Sequence, residues 1–148
     1  GTAGHPSNAA VPYVMTSLVV DTVDGGGVGG DVINLLDIPA DTMIISGCLE
    51  VLEVRGNTQI TMDIGFTGGD VDCFIDGSVV AAGFTPFLEA AVGASGANAR
   101  ILTSADTIDA LVLDGGSTGE TALRFRIHVV LADISKNPTE TATVSTGT

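Results

Sequence analysis

The segment TALRFRIHVVLAD at residues 121–133 constrains the fold more than any other part of the sequence. Its central odd-numbered positions are all apolar, namely Leu123, Phe125, Ile127, Val129 and Leu131. Arg124, Arg126 and His128 lie between them. Successive side chains of a β-strand point to opposite faces, so this pattern predicts a strand with one buried face and one basic face. We single out Arg124, Arg126 and His128 as candidate partner-contact residues.

The rest of the chain favours an all-β fold. A chain of 148 residues that is 45% hydrophobic can enclose the core of one domain, and 20 glycines with no tryptophan predict an aliphatic core with tight turns. Apolar or alternating runs recur between turn-forming sequences, and they are Tyr13–Val23, Val32–Ile38, Met43–Val54, Thr58–Phe66, Val79–Ala82, Ala99–Thr103, Thr107–Leu113 and Thr121–Asp133. We predict a jelly-roll-like antiparallel β-sandwich of about eight strands over residues 13–134.

Some local patterns give more specific predictions. Arg55-Gly56-Asn57 joins two long apolar runs as a short hairpin would. The alternation in Thr58–Gly65 places Asp63 on a polar face, so this strand is expected to be half-exposed. Phe87–Val92 has the only helical pattern, of at most about two turns.

The two ends of the chain differ from its middle. Residues 1–12 are small and polar with two prolines, and residues 135–148 are rich in serine and threonine. Neither segment carries enough apolar surface to fold alone. We predict an N-terminal arm and a C-terminal arm that pack on a neighbouring subunit.

The charge of the chain excludes several partner classes. With 18 acidic and 5 basic residues, the net charge is -13, so repulsion opposes binding to nucleic acid or to an anionic membrane. The longest nearly uncharged apolar run, residues 42–49, is far shorter than the ~20 residues that span a bilayer. The sequence therefore predicts neither nucleic acid nor membrane as a partner.

Two short motifs match catalytic or nucleotide-binding signatures by letter only. Gly25, Gly27 and Gly30 fit the dinucleotide fingerprint, which requires a helix after the glycines, but the sequence VINLLDIP that follows predicts a strand. Ser117 lies in a GxSxG sequence, which acts as a nucleophile elbow only between a strand and a helix and with a histidine partner. Here it falls between two predicted strands, so we predict no enzyme and no catalytic residue.

The sequence gives equally little support for a metal site. Asp70, Asp72 and Asp76 crowd carboxylates before Gly77, but their spacing does not fit a calcium loop, and we favour a solvated acidic turn while leaving calcium open. Residues 26–34 match one calcium-binding nonapeptide, a motif that works only in stacked copies. Cys48 and Cys73 do not form a zinc set, and small buried thiols are the preferred interpretation, with a disulfide left open. No cofactor or metal is predicted.

The basic face of the last strand has two interpretations. Its side chains can pair with carboxylates of the same chain across the sheet, which contributes about 0.2–1 kcal/mol for each pair. They can also dock on an acidic neighbour, because arginine binds carboxylates in a bidentate manner. Both interpretations are compatible in an oligomer.

The succession of strands and turns resembles the head decoration, or cement, proteins of tailed bacteriophages. The resemblance runs from about Val14 to Ile134 and rests on DVINLLDIPADTMIISGCLEVLEV, ITMDIGFTGGDVDCFIDG, ADTIDALVLDGG and the final VVLADI. It implies a β-sandwich, commonly a homotrimer, that binds the major capsid protein on the outside of the virion and helps the shell resist internal pressure. It implies no set of functional residues.

An alternative function is a carbohydrate-binding or adhesin-type β-sandwich of a phage tail or fibre. Such sites present exposed aromatic rings to sugars, and the chain has one tyrosine, five phenylalanines and no tryptophan. We therefore expect a non-enzymatic virion structural protein in preference to a sugar-binding module.

Overall fold

A computed structural model describes residues 10–22, 30–55, 61–66, 69–79, 81–87, 100–113 and 122–135. Within these ranges the extended elements are all strands. They are β1 (Tyr13–Thr16), β2 (Val20–Asp21), β3 (Val32–Ile38), β4 (Thr42–Arg55), β5 (Thr61–Gly65), β6 (Ile75–Val79), β7 (Gly83–Pro86), β8 (Arg100–Leu102), β9 (Asp106–Leu113) and β10 (Ala122–Asp133). The described part of the chain contains no helical segment that could span a membrane.

The strands form two antiparallel sheets that pack face to face. Sheet A has the order β1-β10-β4-β7, with β2 also paired to β10 and β8 also paired to β4. Sheet B has the order β3-β9-β5-β6. The chain crosses between the sheets repeatedly and returns its last strand to the middle of sheet A, which is the strand order of a jelly roll. The predicted all-β sandwich is confirmed.

The core lies between the sheets and is mainly aliphatic. The inward positions of β10 are Phe125, Ile127, Val129 and Leu131, and all are fully buried. Met62, Ile64, Ile108 and Ala110 oppose them from β5 and β9 and are also fully buried. Each large apolar side chain removed from water in this way contributes about 1.5–3 kcal/mol before the entropy cost of ordering the chain. The alternation of apolar and basic residues in β10 therefore gives this strand one face that is buried in the core.

The expected hairpin at Arg55-Gly56-Asn57 is wrong. β4 belongs to sheet A and β5 to sheet B, and the two strands do not pair. One edge of β4 pairs with β10 along its length, and the other pairs with β7 at residues 48–51 and with β8 at residues 42–44. β5 instead pairs with β6 and β9 in sheet B. A turn sequence predicts a change of direction, but it does not specify which strand the chain pairs with afterwards.

The expected half-exposure of β5 is also wrong, because both of its faces are covered. Asp63 is only 7% exposed, and its Oδ1 accepts a hydrogen bond of 2.6 Å from the backbone N–H of Gly77. Gly77 has a φ of 60°, a conformation that glycine adopts without strain, at an irregularity in the pairing of β6 with β5. At the next outward position, a Cβ on Gly65 would collide with the backbone of Asp70 and Val71.

The predicted strand Tyr13–Val23 is broken into β1 and β2. At the break, the backbone N–H of Ile127 donates to Ser17 Oγ at 3.0 Å, and directly after β2 the backbone N–H of Leu123 donates to Thr22 Oγ1 at 2.7 Å. Both hydroxyl-bearing residues are buried. Side-chain oxygens thus replace the carbonyls of a continuous ladder, so β10 keeps its hydrogen bonds although its neighbour is interrupted.

Several sequence predictions lie outside the described residues. They include most of the helical pattern after Phe87, most of both predicted arms, and the glycine-rich sequences at 23–29 and 114–120. The predicted strand Val79–Ala82 is wrong, because Val79 ends β6 and Ala81 and Ala82 lie before β7, which belongs to the other sheet.

Three phenylalanines close one end of the core. The rings of Phe66 and Phe74 lie 5.4 Å apart edge to face, and those of Phe74 and Phe87 lie 4.7 Å apart and stacked. The Arg100 guanidinium lies 5.8 Å from the Phe66 ring centre, within the range of a cation–π contact. Gly47 in β4 makes room for the ring of Phe87.

We predict that Gly47→Ala destabilises the fold by about 1–3 kcal/mol, because the new Cβ would meet the Phe87 ring and lie 2.6 Å from the His128 carbonyl oxygen. Urea unfolding measures the change. Gly69→Ala is the matched control, since a Cβ there makes only ordinary contacts, the nearest at 3.7 Å. Equal losses in both variants would contradict the role of the Phe87 contact.

Candidate interaction surface on sheet A

The basic face of β10 lies on the outer side of sheet A. Arg124, Arg126 and His128 alternate with fully buried core residues and are all partly exposed, as the sequence predicts. β10 lies between β4 and the short strands β1 and β2, so carboxylates of these neighbours lie beside the three side chains. The structure brings all three onto one surface.

Arg126 and His128 converge on a single carboxylate. Arg126 Nε donates to Glu50 Oε1 at 2.6 Å, and His128 Nε2 lies 2.8 Å from the same oxygen. His128 Nδ1 lies 2.8 Å from Thr16 Oγ1. We name Thr16, Glu50, Arg126 and His128 the sheet A network. It links β1, β10 and β4 side by side through side chains, in addition to the backbone ladder.

Glu50 is the centre of this network and is 14% exposed as a side chain. Hydrogen bonds from His128 and then from Arg126 hold the pKa of Glu50 below its usual value of 4.5. A cationic Arg126 and an ionised Glu50 therefore neutralise each other at this point of the surface.

Arg124 is held more loosely than Arg126. Its Nε lies 3.6 Å from Asp21 Oδ2 and its Nη1 lies 4.0 Å from Glu53 Oε2. The Arg124 side chain is 43% exposed, so solvent screens both pairs. Within one chain, Arg124, Arg126 and His128 all contact carboxylates of their own sheet, as the first of the two interpretations predicts. The contact of Arg124, Arg126 and His128 with a partner stays a prediction.

The acidic segment at residues 70–77 is a turn only as far as Phe74, because β6 begins at Ile75, and it also contacts an arginine. Arg100 Nη2 lies 3.4 Å from Asp70 Oδ2. A hydrogen bond with Asp70 raises the pKa of Asp72. Among the described residues, no group of three or more His, Cys, Asp or Glu side chains could hold a metal ion. Asp70 thus contacts both the Arg100 guanidinium and the carboxyl group of Asp72.

Both cysteines are free thiols. Cys73 is buried, and burial raises its pKa to about 11. Cys48 lies on β4 beside Glu50, and partial burial followed by the charge of Glu50 raises its pKa as well. Thiols of this kind are poor nucleophiles at neutral pH. The interpretation of buried thiols holds for Cys73, while Cys48 is half-buried.

Both glycine motifs require a helix after them, and the described residues that follow each motif form a strand. Gly30 has a φ of 95° and is followed by β3, a strand, where a dinucleotide site needs a helix. The sequence around Ser117 lies between β9 and β10 and is outside the described residues.

Sequence reasoning missed a group of exposed apolar side chains on the β1 flank of sheet A. Val11, Val14 and Leu18 are 76%, 64% and 88% exposed. The absence of any charged residue from position 1 to position 20 is the signal that marks this segment in the sequence. Phe84, 69% exposed on β7, lies on the opposite flank.

Comparisons with solved structures match this fold over most of its length. A chain of the cyanophage Pam1 capsid asymmetric unit superimposes with a TM-score of 0.64 at 15% identity, covering 89% of this chain and 91% of that chain. The fold is shared with phage capsid chains. The acid-stable capsid of Helicobacter pylori bacteriophage KHP30 gives a TM-score of 0.57 at 15% identity, with coverages of 82% and 87%. The capsid of Ralstonia phage GP4 gives 0.57 at 20% identity, with 86% of each chain covered.

Sequence comparison gives no such match. No family model matches the chain, and no curated protein does. The likeness is therefore one of fold, and it agrees with the resemblance to phage head structural proteins noted from the strand and turn sequences.

We predict that the sheet A network makes stability depend on pH in the acid range. The pKa of Glu50 is lowered in the folded chain, so unfolded Glu50 takes up a proton first as the pH falls through 4.5. The contribution of Glu50 is thus fully present above 4.5 and is lost as the pH falls through the lowered folded value. Urea unfolding of Glu50→Gln should show a loss of stability at neutral pH that vanishes in acid.

Asp37→Asn is the control for the change in net charge, because it removes an exposed carboxylate from β3 in the other sheet. An equal, equally pH-dependent loss in Asp37→Asn would mean that net charge and not the network is responsible.

Proposed function

We propose that this chain is a non-enzymatic virion structural protein that decorates the outer surface of a phage head and bridges major capsid subunits. The observation that carries the proposal is the match of the jelly roll to chains of three phage capsid structures, each over 82% or more of both chains. The match spans the whole sandwich, so it does not depend on one common substructure.

The physical properties of the chain support a structural role. Its apolar core is packed between two antiparallel sheets. Its net charge of -13 opposes contact with DNA, so a position outside the shell is favoured over one that faces the genome. The two predicted arms, residues 1–12 and 135–148, supply segments of polar chain that can reach neighbouring subunits.

The aromatic side chains favour this function over the carbohydrate-binding alternative. Phe66, Phe74, Phe87 and Phe125 are buried. The remaining two, Tyr13 and Phe84, lie on opposite flanks of sheet A, so they do not form one platform for a sugar ring.

Particles of the phage that encodes the chain test the proposal directly. We expect the chain in purified heads, and we expect heads made without it to release DNA at a lower temperature until the purified chain is added back. Absence of the chain from intact particles, or unchanged release temperature with and without it, would contradict a decoration role.

We predict that the double reversal Arg124→Glu and Arg126→Glu weakens binding to heads and lowers the unfolding temperature by more than about 4 °C. The reversal would place two new carboxylates beside Glu50, Asp21 and Glu53, which now pair with these arginines. Thermal unfolding and co-sedimentation with heads provide the two readouts. Arg55→Glu, at the end of β4, is the control, and effects of equal size would reduce the basic face to ordinary surface charge.

A further inference from the structure

One segment of the chain carries no charge. The first 20 residues contain no aspartate, glutamate, lysine or arginine, although 18 acidic residues are spread over the remainder. The described part of this segment, residues 10–20, forms β1 and the connection to β2. It therefore provides an uncharged strip on a strongly acidic protein.

This strip lies along one flank of sheet A. β1 pairs with β10 on one side, and no other described strand pairs with it, so its second edge presents backbone donors and acceptors. We name Val11, Val14, Leu18 and Val19 the β1 edge surface, and their exposed fractions are 76%, 64%, 88% and 39%. An apolar strand edge of this kind is a template for pairing with another chain.

Hydrogen bonds hold the backbone next to Leu18 in place. Ser17 N donates to the Ile127 carbonyl at 3.0 Å, and Ser17 Oγ both accepts from Ile127 N and donates to the Leu18 carbonyl at 3.0 Å. Together with the Thr22 hydroxyl on Leu123 N, these bonds anchor both sides of the break. The interruption of the ladder is therefore held by hydrogen bonds to Ser17 and Thr22, and the apolar side chain of Leu18 within it is 88% exposed.

The charges elsewhere decide what this surface can bind. The three arginine side chains that the structure describes, Arg100, Arg124 and Arg126, pair with carboxylates of their own chain. Among the described side chains, positive charge is thus already paired with carboxylates of the same chain, and two copies of net charge -13 repel wherever acidic surfaces meet. An uncharged apolar strip is where two copies can approach without that cost.

We propose that the β1 edge surface is the site at which copies of this chain associate with each other. The inference deepens the proposed function, since it names the surface through which a decorating oligomer would form. Leu18 and Val14 supply the apolar contact, and the edge of β1 that pairs with no other described strand supplies backbone hydrogen bonds to the second copy.

Sedimentation velocity of the purified full chain tests this without any capsid. We expect the wild type to be an oligomer, and we expect Leu18→Glu and Val14→Glu to weaken association by roughly thirtyfold or more, because each places a carboxylate in the apolar contact. Raising the salt concentration should tighten wild-type association, since salt screens the repulsion between acidic copies.

Ile101→Glu is the matched control, because Ile101 is 56% exposed on β8 at the other flank of sheet A. It adds the same charge and should leave the oligomer intact. Circular dichroism of each variant shows that the sandwich is folded, and Leu18→Ala, which adds no charge, gives a second measure with a smaller loss of association.

Three outcomes would overturn the proposal. They are a wild-type monomer at high concentration, an oligomer that survives both Leu18→Glu and Val14→Glu, and dissociation as salt rises, which would indicate that ion pairs hold the copies together. A variant that associates normally but no longer binds heads would show that this surface contacts the capsid and not a second copy. A wild-type oligomer that is absent from particles would leave this inference standing and refute the decoration role.

Discussion

The pairing of β10 with β4 is the constraint on which the rest of the structure depends. The two strands run antiparallel from Ala122 opposite Arg55 to Asp133 opposite Thr42, and every other strand of sheet A attaches to one of them. Two irregularities in this ladder leave Leu52 and Ile45 as extra residues, each about two-fifths exposed. Each bulge restores the register, so that the buried face of β10 stays opposite the apolar face of β4 over the full length.

The same ladder organises the surface. Because Glu50 and Glu53 of β4 lie opposite Arg126 and Arg124, the basic face of β10 is neutralised within the chain. The outer side of sheet A therefore combines internally paired charges with an uncharged flank at β1. A protein that assembles with copies or capsid subunits benefits from such a surface, since contact does not require desolvating unpaired charges.

Much of the architecture follows from the sequence. The all-β class, the exact bounds of β3 at Val32–Ile38 and the exposed position of Arg124, Arg126 and His128 are predicted correctly from alternation and turn chemistry. The sequence pattern does not predict β7, and it predicts a turn where β6 begins at Ile75. Further errors concern contacts between distant segments. Asp63 has a polar-face pattern but is covered by a glycine amide 14 residues away, and the Arg55 turn leads into the opposite sheet.

By itself, then, the sequence determined that the chain is built of strands and which side of β10 is apolar, since alternation between neighbouring residues is a local property of the chain. The tertiary structure alone decided which strands become neighbours. It placed Glu50 beside Arg126 and His128, which are 76 and 78 residues away, and it exposed Leu18 by satisfying the ladder with hydroxyl groups. Pairing across such separations depends on the free energy of the whole core, which no local pattern encodes.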